Sequence, residues 1–343
     1  MEAGLKALLI TLEYPPQVGG VANYYSALVH AQVFDCAVAT REDLPAHWLK
    51  AIPWLYRQIK QHHYSHILVG QVLPLGTVAW LVSRLTGTPY VVFTHGMDVL
   101  VPQQSARKRW LLHRILRKAQ RVIAASEFTA NQVRQFDPKV QHVTVIHPAA
   151  SITPHTPAQQ PAAQLPEQFV LSVGRLVERK GFDYCIQALA GIPNLHYVIA
   201  GNGDDRERLM QLAKDHGVQE RVHILHNLSN GELAYLYQHC LYLLLPSRQL
   251  ANGDVEGYGI VVVEANRFGK TAIGGKAGGM EDAIQDGVTG LLVNPTDLQA
   301  IQGAMQRLLT DTADRQRLEQ QALAWSQTQT WQHCAEQLKA VLK

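Results

Sequence analysis

Two carboxylates around a glycine turn mark the stretch with most to offer a ligand, Asp254 to Gly269, DVEGYGIVVVEANRFG. Glu256 and Glu264 flank seven residues that begin Gly257, Tyr258, Gly259. Glycines beside a carboxylate let backbone approach a bound molecule closely. A helix starting near Gly259 and Ile260 aims unpaired N–H groups and the positive end of its dipole at an anion. A diphosphate suits such a place, and Glu264 then falls inside the first helical turns, within reach of a nucleotide's hydroxyls. Propensity offers a competing reading, because Ile260 to Val263 is a β-branched run that equally describes a buried parallel strand after a glycine turn.

Loops at other strand ends share this character. Pro15 to Val21, PPQVGGV, brings the Gly19 and Gly20 amides to a helix start, as an anion site or as an ordinary tight turn. Gly174 to Gly181, GRLVERKG, places Arg175, Arg179 and Lys180 just past a strand. An arginine fork and a compact lysine charge suit a phosphate, although alone the loop also reads as a solvated turn. Gly201 to Asp204, GNGD, offers bare backbone at Asn202 and Gly203 to a base or ribose, and Gly274 to Gly279, GGKAGG, precedes a helix at Met280. Thr94 to Asp98, THGMD, puts His95 and Asp98 at a strand end, where a histidine equally suits a structural hydrogen bond.

Competing chemistries fit less well. GNGDDR begins like a dinucleotide fingerprint but has Arg206 where the third glycine belongs, and Gly269-Lys270-Thr271 would need a glycine at Glu264 to form a P-loop. No GxSxG elbow, HExxH pair or metal-ligand spacing occurs, so no metal is expected. A glycosidase could use Glu256 and Glu264 as acid and base, but that chemistry does not require anion-binding loops.

These loops need a scaffold that gathers strand ends. Short apolar runs alternate with amphipathic segments along the whole chain, the pattern of parallel sheets covered by helices on both faces. Strands are expected over 6–13, 34–40, 66–71, 90–96, 121–126 and 143–148, then over 169–174, 196–201, 221–226, 241–246, 271–274 and 290–293. Helices are expected over 298–309, 314–327 and 331–342. The proline-rich stretch from Ser151 to Pro166 reads as a linker. The organisation is therefore an N-terminal α/β domain over 1–152, a linker over 153–166, a second α/β domain over 167–327 and a terminal helix over 328–343. Two doubly wound domains facing a cleft would bind ligand outside the carboxyl ends of their strands.

Thirty-one basic residues against 28 acidic leave a formal charge of only +3, which excludes a generally nucleic-acid-like balance. No apolar run is long enough to span a bilayer, and ALLITL leads to Pro15-Pro16 instead of a cleavage site, so a cytoplasmic protein is expected. The four scattered cysteines read as reduced thiols. Local charge does concentrate at 107–121, RKRWLLHRILRKAQR, which has seven basic residues and no acid. Leu111, Leu112, Ile115, Leu116 and Ala119 form its apolar stripe, as a packed surface helix requires. Its cations Arg107, Lys108, Arg109, Arg114, Arg117 and Lys118, with Trp110, also suit an anionic membrane surface, placing the protein on the inner face of the cell membrane.

Taken together, PPQVGG, THGMD, RVIAASEFT, VIHPAAS, VGRLVERKG, VIAGNGDD and EGYGIVVVEA resemble the retaining glycosyltransferases of family 4, of GT-B fold, along nearly the whole chain. PSRQLANGDVEGYGIVVVEA is similar to the mannosyltransferases that act on phosphatidylinositol lipids. The resemblance implies that the valine-rich run is helical and that the last helix crosses back to the N-terminal domain. It implies an acceptor-side N-terminal domain and a nucleotide-sugar-binding C-terminal one. It assigns Arg175 and Lys180 to the donor diphosphate, Glu264 to the ribose, Glu256 with Gly257 to Ile260 to sugar and phosphate, His95 to the transferred sugar and Gly20 to the diphosphate. It favours GDP-mannose as donor, with no cofactor beyond that substrate and a lipid-linked or glycan acceptor. A UDP-glucose or UDP-N-acetylglucosamine transferase, a sugar-nucleotide epimerase and a nucleotide-sugar-binding module are the alternatives. VIHPAAS, His226-Asn227 and Met280 depart from the family pattern and bear on the acceptor and the base-reading loop.

Overall fold

The computed structural model describes residues 5–17 and 19–343. Val18, inside PPQVGGV, lies outside the described residues. The chain divides into two compact units, Met1–Pro148 with Trp331–Lys343, and Ala149–Thr330.

Unit 1 contains β1 (Lys6–Ile10), β2 (Asp35–Ala39), β3 (His66–Val69), β4 (Tyr90–Thr94), β5 (Arg121–Ala124) and β6 (Val143–Val145). They form one parallel sheet in the order β2-β1-β3-β4-β5-β6. Its helices are α1 (Gly20–His30), α2 (Trp48–His62), α3 (Leu75–Thr86), α4 (Met97–Leu100), α5 (Ala106–Lys118) and α6 (Glu127–Phe136). Each strand lies within an expected apolar run but stops short of its end, because the last residues turn outward at the carboxyl edge. Central strands such as YVVFT are buried throughout, as both faces are covered.

Unit 2 repeats the architecture with β7 (Phe169–Val173), β8 (His196–Ala200), β9 (Val222–Leu225), β10 (Leu243–Leu245), β11 (Ala272–Gly275) and β12 (Gly290–Val293), ordered β12-β11-β10-β7-β8-β9 and all parallel. Around it run α7 (Phe182–Ala190), α8 (Arg206–Asp215), α9 (Asn230–His239), α10 (Ile260–Arg267), α11 (Met280–Ala283), α12 (Leu298–Thr310) and α13 (Thr312–Thr328). The last helix, α14 (Trp331–Leu342), packs on α1 in unit 1, where the Trp331 and Tyr24 rings meet edge to face at 5.4 Å. The proline-rich segment belongs to unit 2 and is tied to α9 by Gln159 N donating to Gly231 O at 3.0 Å.

The run Ile260 to Val263 is helical, not a strand. β-Branched residues give up less than about 0.7 kcal/mol each in a helix. Complete burial of a valine contributes about 1.5–3 kcal/mol. Val262 and Val263 are both fully buried, so packing outweighs propensity.

Strand order fixes where each sheet can receive a ligand. In unit 2 the chain leaves β7 toward β8 and leaves β10 toward β11, so the loops after β7 and β10 part at the switch point. Those loops are 174–181 and 246–259. In unit 1 the corresponding pair follows β1 and β3, with the β4 loop beside them.

Candidate functional site

In unit 2 the two switch-point loops are joined by buried charge. Lys180 Nζ lies 2.5 Å from Glu256 Oε2, and Arg179 Nη1 donates to the same oxygen at 2.8 Å. Arg179 Nε also sits 3.0 Å from Asp254 Oδ1. A second set runs the opposite way. Arg248, on the later loop, makes a bidentate bond to Asp183 in the first turn of α7, at 2.7 and 2.8 Å, and stacks over the Tyr184 ring. Its backbone N–H donates to Arg179 O at 2.8 Å. Arg179, Lys180, Asp183 and Arg248 are all buried, a state charged groups tolerate only when paired.

The electrostatics follow from this pairing. Burial would raise the Glu256 carboxyl, but Lys180 and Arg179 overcome it and hold the group down to about 2. Burial opposes ionisation of Asp183 as well, yet Arg248 and Arg208 keep it below the usual carboxylate range. Lys180 is lowered by burial and by the neighbouring Arg179 and Arg175, against the attraction of Glu256. Arg175 points to solvent and, among the described residues, makes no ion pair closer than 4 Å.

Glu264 is the opposite case. It lies in the second turn of α10, accepts from Tyr237 Oη at 2.8 Å and from Ile152 N at 3.3 Å, and among the described residues meets no cation. Burial pushes it up to about 7 against those hydrogen bonds. Glu256 and Glu264 are thus electrostatically unlike, one held ionised and one near its midpoint at neutral pH.

Gly259 precedes α10 with φ of +99°, a left-handed conformation that glycine adopts without strain, so the first N–H groups of α10 have no intrahelical carbonyl to bind. Tyr258 is buried, so its backbone borders this turn while its ring packs inward. Gly279 N donates to Glu256 O at 2.9 Å, which seats the GGKAGG loop against the carboxylate's own backbone. The GNGD loop has a packing reason for its glycines. A Cβ at Gly201 would overlap Gly174 O, and one at Gly203 would overlap Leu176 O. Asn202 pairs with Asn227, donating to its Oδ1 at 3.0 Å and accepting its backbone N–H at 3.2 Å.

The unit 1 candidates have a neutral chemistry. His95 follows β4, and its Nε2 lies 2.8 Å from Tyr25 Oη, which itself donates to Gly70 O at 2.5 Å. A phenol has one hydrogen, so His95 is the donor through Nε2 and carries its lone pair on Nδ1. Burial lowers its pKa to about 4, and the Tyr24 and Tyr25 rings stand edge-on to it. Asp98 does not orient the imidazole. Its Oδ1 accepts the His95 backbone N–H at 2.9 Å, and burial pushes it up to about 6. Gly19 and Gly20 open α1 on the β1 loop.

Helix α5 buries Leu112, Ile115 and Leu116 and exposes Arg107, Lys108, Arg109, Trp110 and Arg114. The Arg114 guanidinium lies over the Trp110 ring at 5.3 Å, and Trp110 meets Trp80 of α3 edge to face. Arg117 is exposed as well and is held by Asp137 at 2.5 and 3.0 Å, with His113 on the same carboxylate, so its charge is partly offset. Among the described residues no helix is long and apolar enough to cross a membrane.

Sequence reasoning named Lys180, Glu256 and their loops but missed that Arg179 serves Glu256, and it missed Asp183, Arg248 and Tyr237. The signal for Arg179 was present, as a second cation beside Lys180 with Asp254 two residues before Glu256. Nothing local distinguished Arg248 or Asp183.

A family model described as glycosyl transferases group 1 matches residues 156–325, and one described as glycosyl transferase 4-like domain matches residues 1–149. The chain is 28% identical to the GDP-mannose-dependent alpha-(1-6)-phosphatidylinositol monomannoside mannosyltransferase of Mycolicibacterium smegmatis, with 89% of each chain covered. It is 25% identical to the D-inositol 3-phosphate glycosyltransferase of Corynebacterium diphtheriae, covering 88% of this chain and 76% of that one. Among solved structures it is similar to sucrose-phosphate synthase from Thermosynechococcus elongatus, with TM-score 0.81, 21% identity and 98% of each chain covered. Anabaena HepE in complex with UDP gives TM-score 0.80 at 20% identity, over 98% of this chain and 99% of that one.

Proposed function

Because the chain belongs to family 4 of the glycosyltransferases and has the GT-B fold, we propose that it transfers mannose from GDP-mannose to a hydroxyl of a lipid-linked or glycan acceptor, with retention of anomeric configuration and without a metal. One observation carries the reading. Arg179, Lys180 and Glu256 are clustered beside the N-terminus of α10 at the switch point of unit 2, with the Arg175 side chain still exposed. Cations and bare amides there meet the donor diphosphate, and a carboxylate kept ionised accepts hydrogen bonds from sugar hydroxyls.

As the glycosidic bond to phosphate breaks, negative charge grows on the diphosphate. Lys180, Arg175 and the first N–H groups of α10 stabilise it, and their preorganised placement is the main contribution of the protein. Attack comes from the same face, with the leaving diphosphate helping to take the acceptor proton. Glu264 accepts a hydrogen bond from the ribose, and Asn202 with Gly203 borders the nucleoside. His95, neutral and donating through Nε2 to Tyr25, accepts a sugar hydroxyl hydrogen at Nδ1.

The GDP-mannose assignment rests on what the curated relatives are named for, since no residue here separates guanine from uracil. UDP-glucose or UDP-N-acetylglucosamine is the alternative donor. A donor panel settles this: the expected result is release of GDP from GDP-mannose, increased by lipid extract containing the acceptor. Release of UDP alone would replace the donor, and no release from any member would end the assignment.

A lipid-linked acceptor is supported by the charge distribution. Residues 44–126 hold eleven of the 31 Lys and Arg but one of the 28 Asp and Glu, a formal +10 against −7 for the remainder. The exposed cations of α5, around Trp110, support a reading in which this face rests on anionic phospholipid. Sedimentation with phosphatidylglycerol vesicles but not with phosphatidylcholine vesicles is expected, and lost when Arg107, Arg109 and Arg114 are reversed to Glu. Equal sedimentation with both lipids would remove the idea.

A further inference from the structure

The two switch-point loops exchange arginines. Arg179 on the first loop reaches the Asp254 and Glu256 carboxylates of the second. Arg248 on the second reaches Asp183 at the start of α7, and Glu178 at 3.4 Å, beside the first. The backbone bond from Arg248 N to Arg179 O joins the two crossings. Both arginine side chains are buried, Arg179 at 8% exposure and Arg248 at 9%. An arginine fork in that position has little freedom to turn away, whereas Lys180 is a single rotatable ammonium on a flexible stem.

Without a donor, one Glu256 oxygen therefore carries two cations. The diphosphate assigned above competes for one of them. If it drew both, Glu256 would be left as a buried, unpaired carboxylate, which is strongly unfavourable. Lys180 can transfer. Arg179 is less free to do so, because its Nε is ion-paired with Asp254 Oδ1 at 3.0 Å and its carbonyl accepts from Arg248 N, which holds its backbone.

We infer that Arg179 is the resident counter-ion of Glu256: it keeps that carboxylate paired and aimed while Lys180 turns to the donor diphosphate, and the Arg248–Asp183 pair holds the turn that carries it. Arg179 is a positioning residue and acts through Glu256. The inference rests on the donor site proposed above for the transfer of Lys180, but its first half concerns only the free protein.

The test is a carbon-13 titration of the Glu256 carboxyl, assigned by its loss in Glu256→Gln, with the free protein and with GDP or UDP added. In the wild type, Glu256 stays ionised to about pH 2 in the free form, and added nucleotide raises its midpoint only part of the way toward an unpaired carboxyl, because Lys180 leaves and Arg179 stays. In Arg179→Gln the free-form midpoint rises, and nucleotide raises it further as Lys180 leaves, for a total shift of about 1–3 units. Arg179→Lys restores part of the shift. A merely structural arginine would not produce the nucleotide-dependent step. An unchanged midpoint in free Arg179→Gln overturns the counter-ion role, and a nucleotide-bound wild-type midpoint as high as that of nucleotide-bound Arg179→Gln overturns the retention of Arg179. Binding of neither nucleotide removes the donor site, while the free-protein titration still decides on Arg179. Should Arg179→Gln not fold, Asp254→Asn loosens the same guanidinium, and the same upward movement, reduced, is required of it.

Discussion

The carboxyl edges of the two sheets share a parallel, doubly wound architecture, with the switch between β1 and β3 in one and between β7 and β10 in the other, and differ in electrostatics. In unit 2 the loops after β7 and β10 carry Arg179, Lys180, Arg248, Asp254 and Glu256, each paired with an opposite charge on the other loop or, for Arg248, with Asp183 in the first turn of α7. In unit 1 the matching loops are joined by neutral groups: Tyr25 bridges His95 to Gly70, and the Gln71 amide oxygen accepts from Leu12 N while its amide nitrogen donates to Thr11. The same scaffold can thus present a charged surface or an uncharged hydrogen-bonding one, and the choice lies wholly in loop residues.

If that contrast is real, breaking a unit 2 pair should cost far more than breaking a unit 1 bond. The largest effect is expected for Arg248→Gln. Removing one partner of a buried ion pair typically costs about 3–5 kcal/mol. The Arg208 contact with Asp183 places this variant at the lower end, and urea unfolding would measure it. Close behind comes Lys180→Ala, read in turnover. Loss of one preorganised donor costs about 2.7–4 kcal/mol, a hundredfold to a thousandfold fall. Turnover near that of the wild type would remove Lys180 from the diphosphate.

The third prediction concerns pH and sharpens the comparison within unit 2. Glu264 has its native pKa raised by burial to about 7, above its unfolded value. The native state then binds more protons than the unfolded one between the two values, so the stability from this group is complete at low pH and lost as pH rises to about 7. Glu256, held down to about 2, contributes in the reverse direction and is constant over that range. Glu264→Gln should flatten the decline of thermal midpoint from about pH 4.5 to 7. Nucleotide affinity, which uses the ionised form, should rise through the same interval in the wild type and not in the variant.

The smallest effect belongs to Tyr25→Phe in unit 1. A neutral hydrogen bond contributes about 0.5–1.5 kcal/mol, and the packing of the ring between Tyr24 and Phe93 is retained. Its consequence for turnover should be several-fold, through a less firmly placed His95. A loss equal to that of Lys180→Ala would contradict the division into charged and neutral edges.

Much of this was legible in the primary structure. Eleven of the twelve strands lie within the expected apolar runs and β11 passes its run by one residue, because strands buried on both faces are mostly apolar, and the loop motifs fall where those runs end. Lys180 and Glu256 were identifiable as chemical groups by residue type and by the spacing of their neighbours. The helical state of Ile260 to Val263 was not, since local preference favours a strand there and only the family resemblance pointed the other way.

By itself, the sequence determined the alternation of elements, the placement of functional loops at strand ends and the concentration of positive charge in residues 44–126. These depend on local pattern and composition. Only the tertiary structure decided partners. Glu256 meets Lys180 across 76 residues and Arg248 meets Asp183 across 65, so no local spacing reports either pair. It also decided that Asp98 binds the backbone of His95 instead of its ring, and that Glu264 is a carboxyl near its midpoint at neutral pH while Glu256 is an ion. Charge state depends on what surrounds a group once water has been excluded, and that environment comes into being only when distant loops pack together.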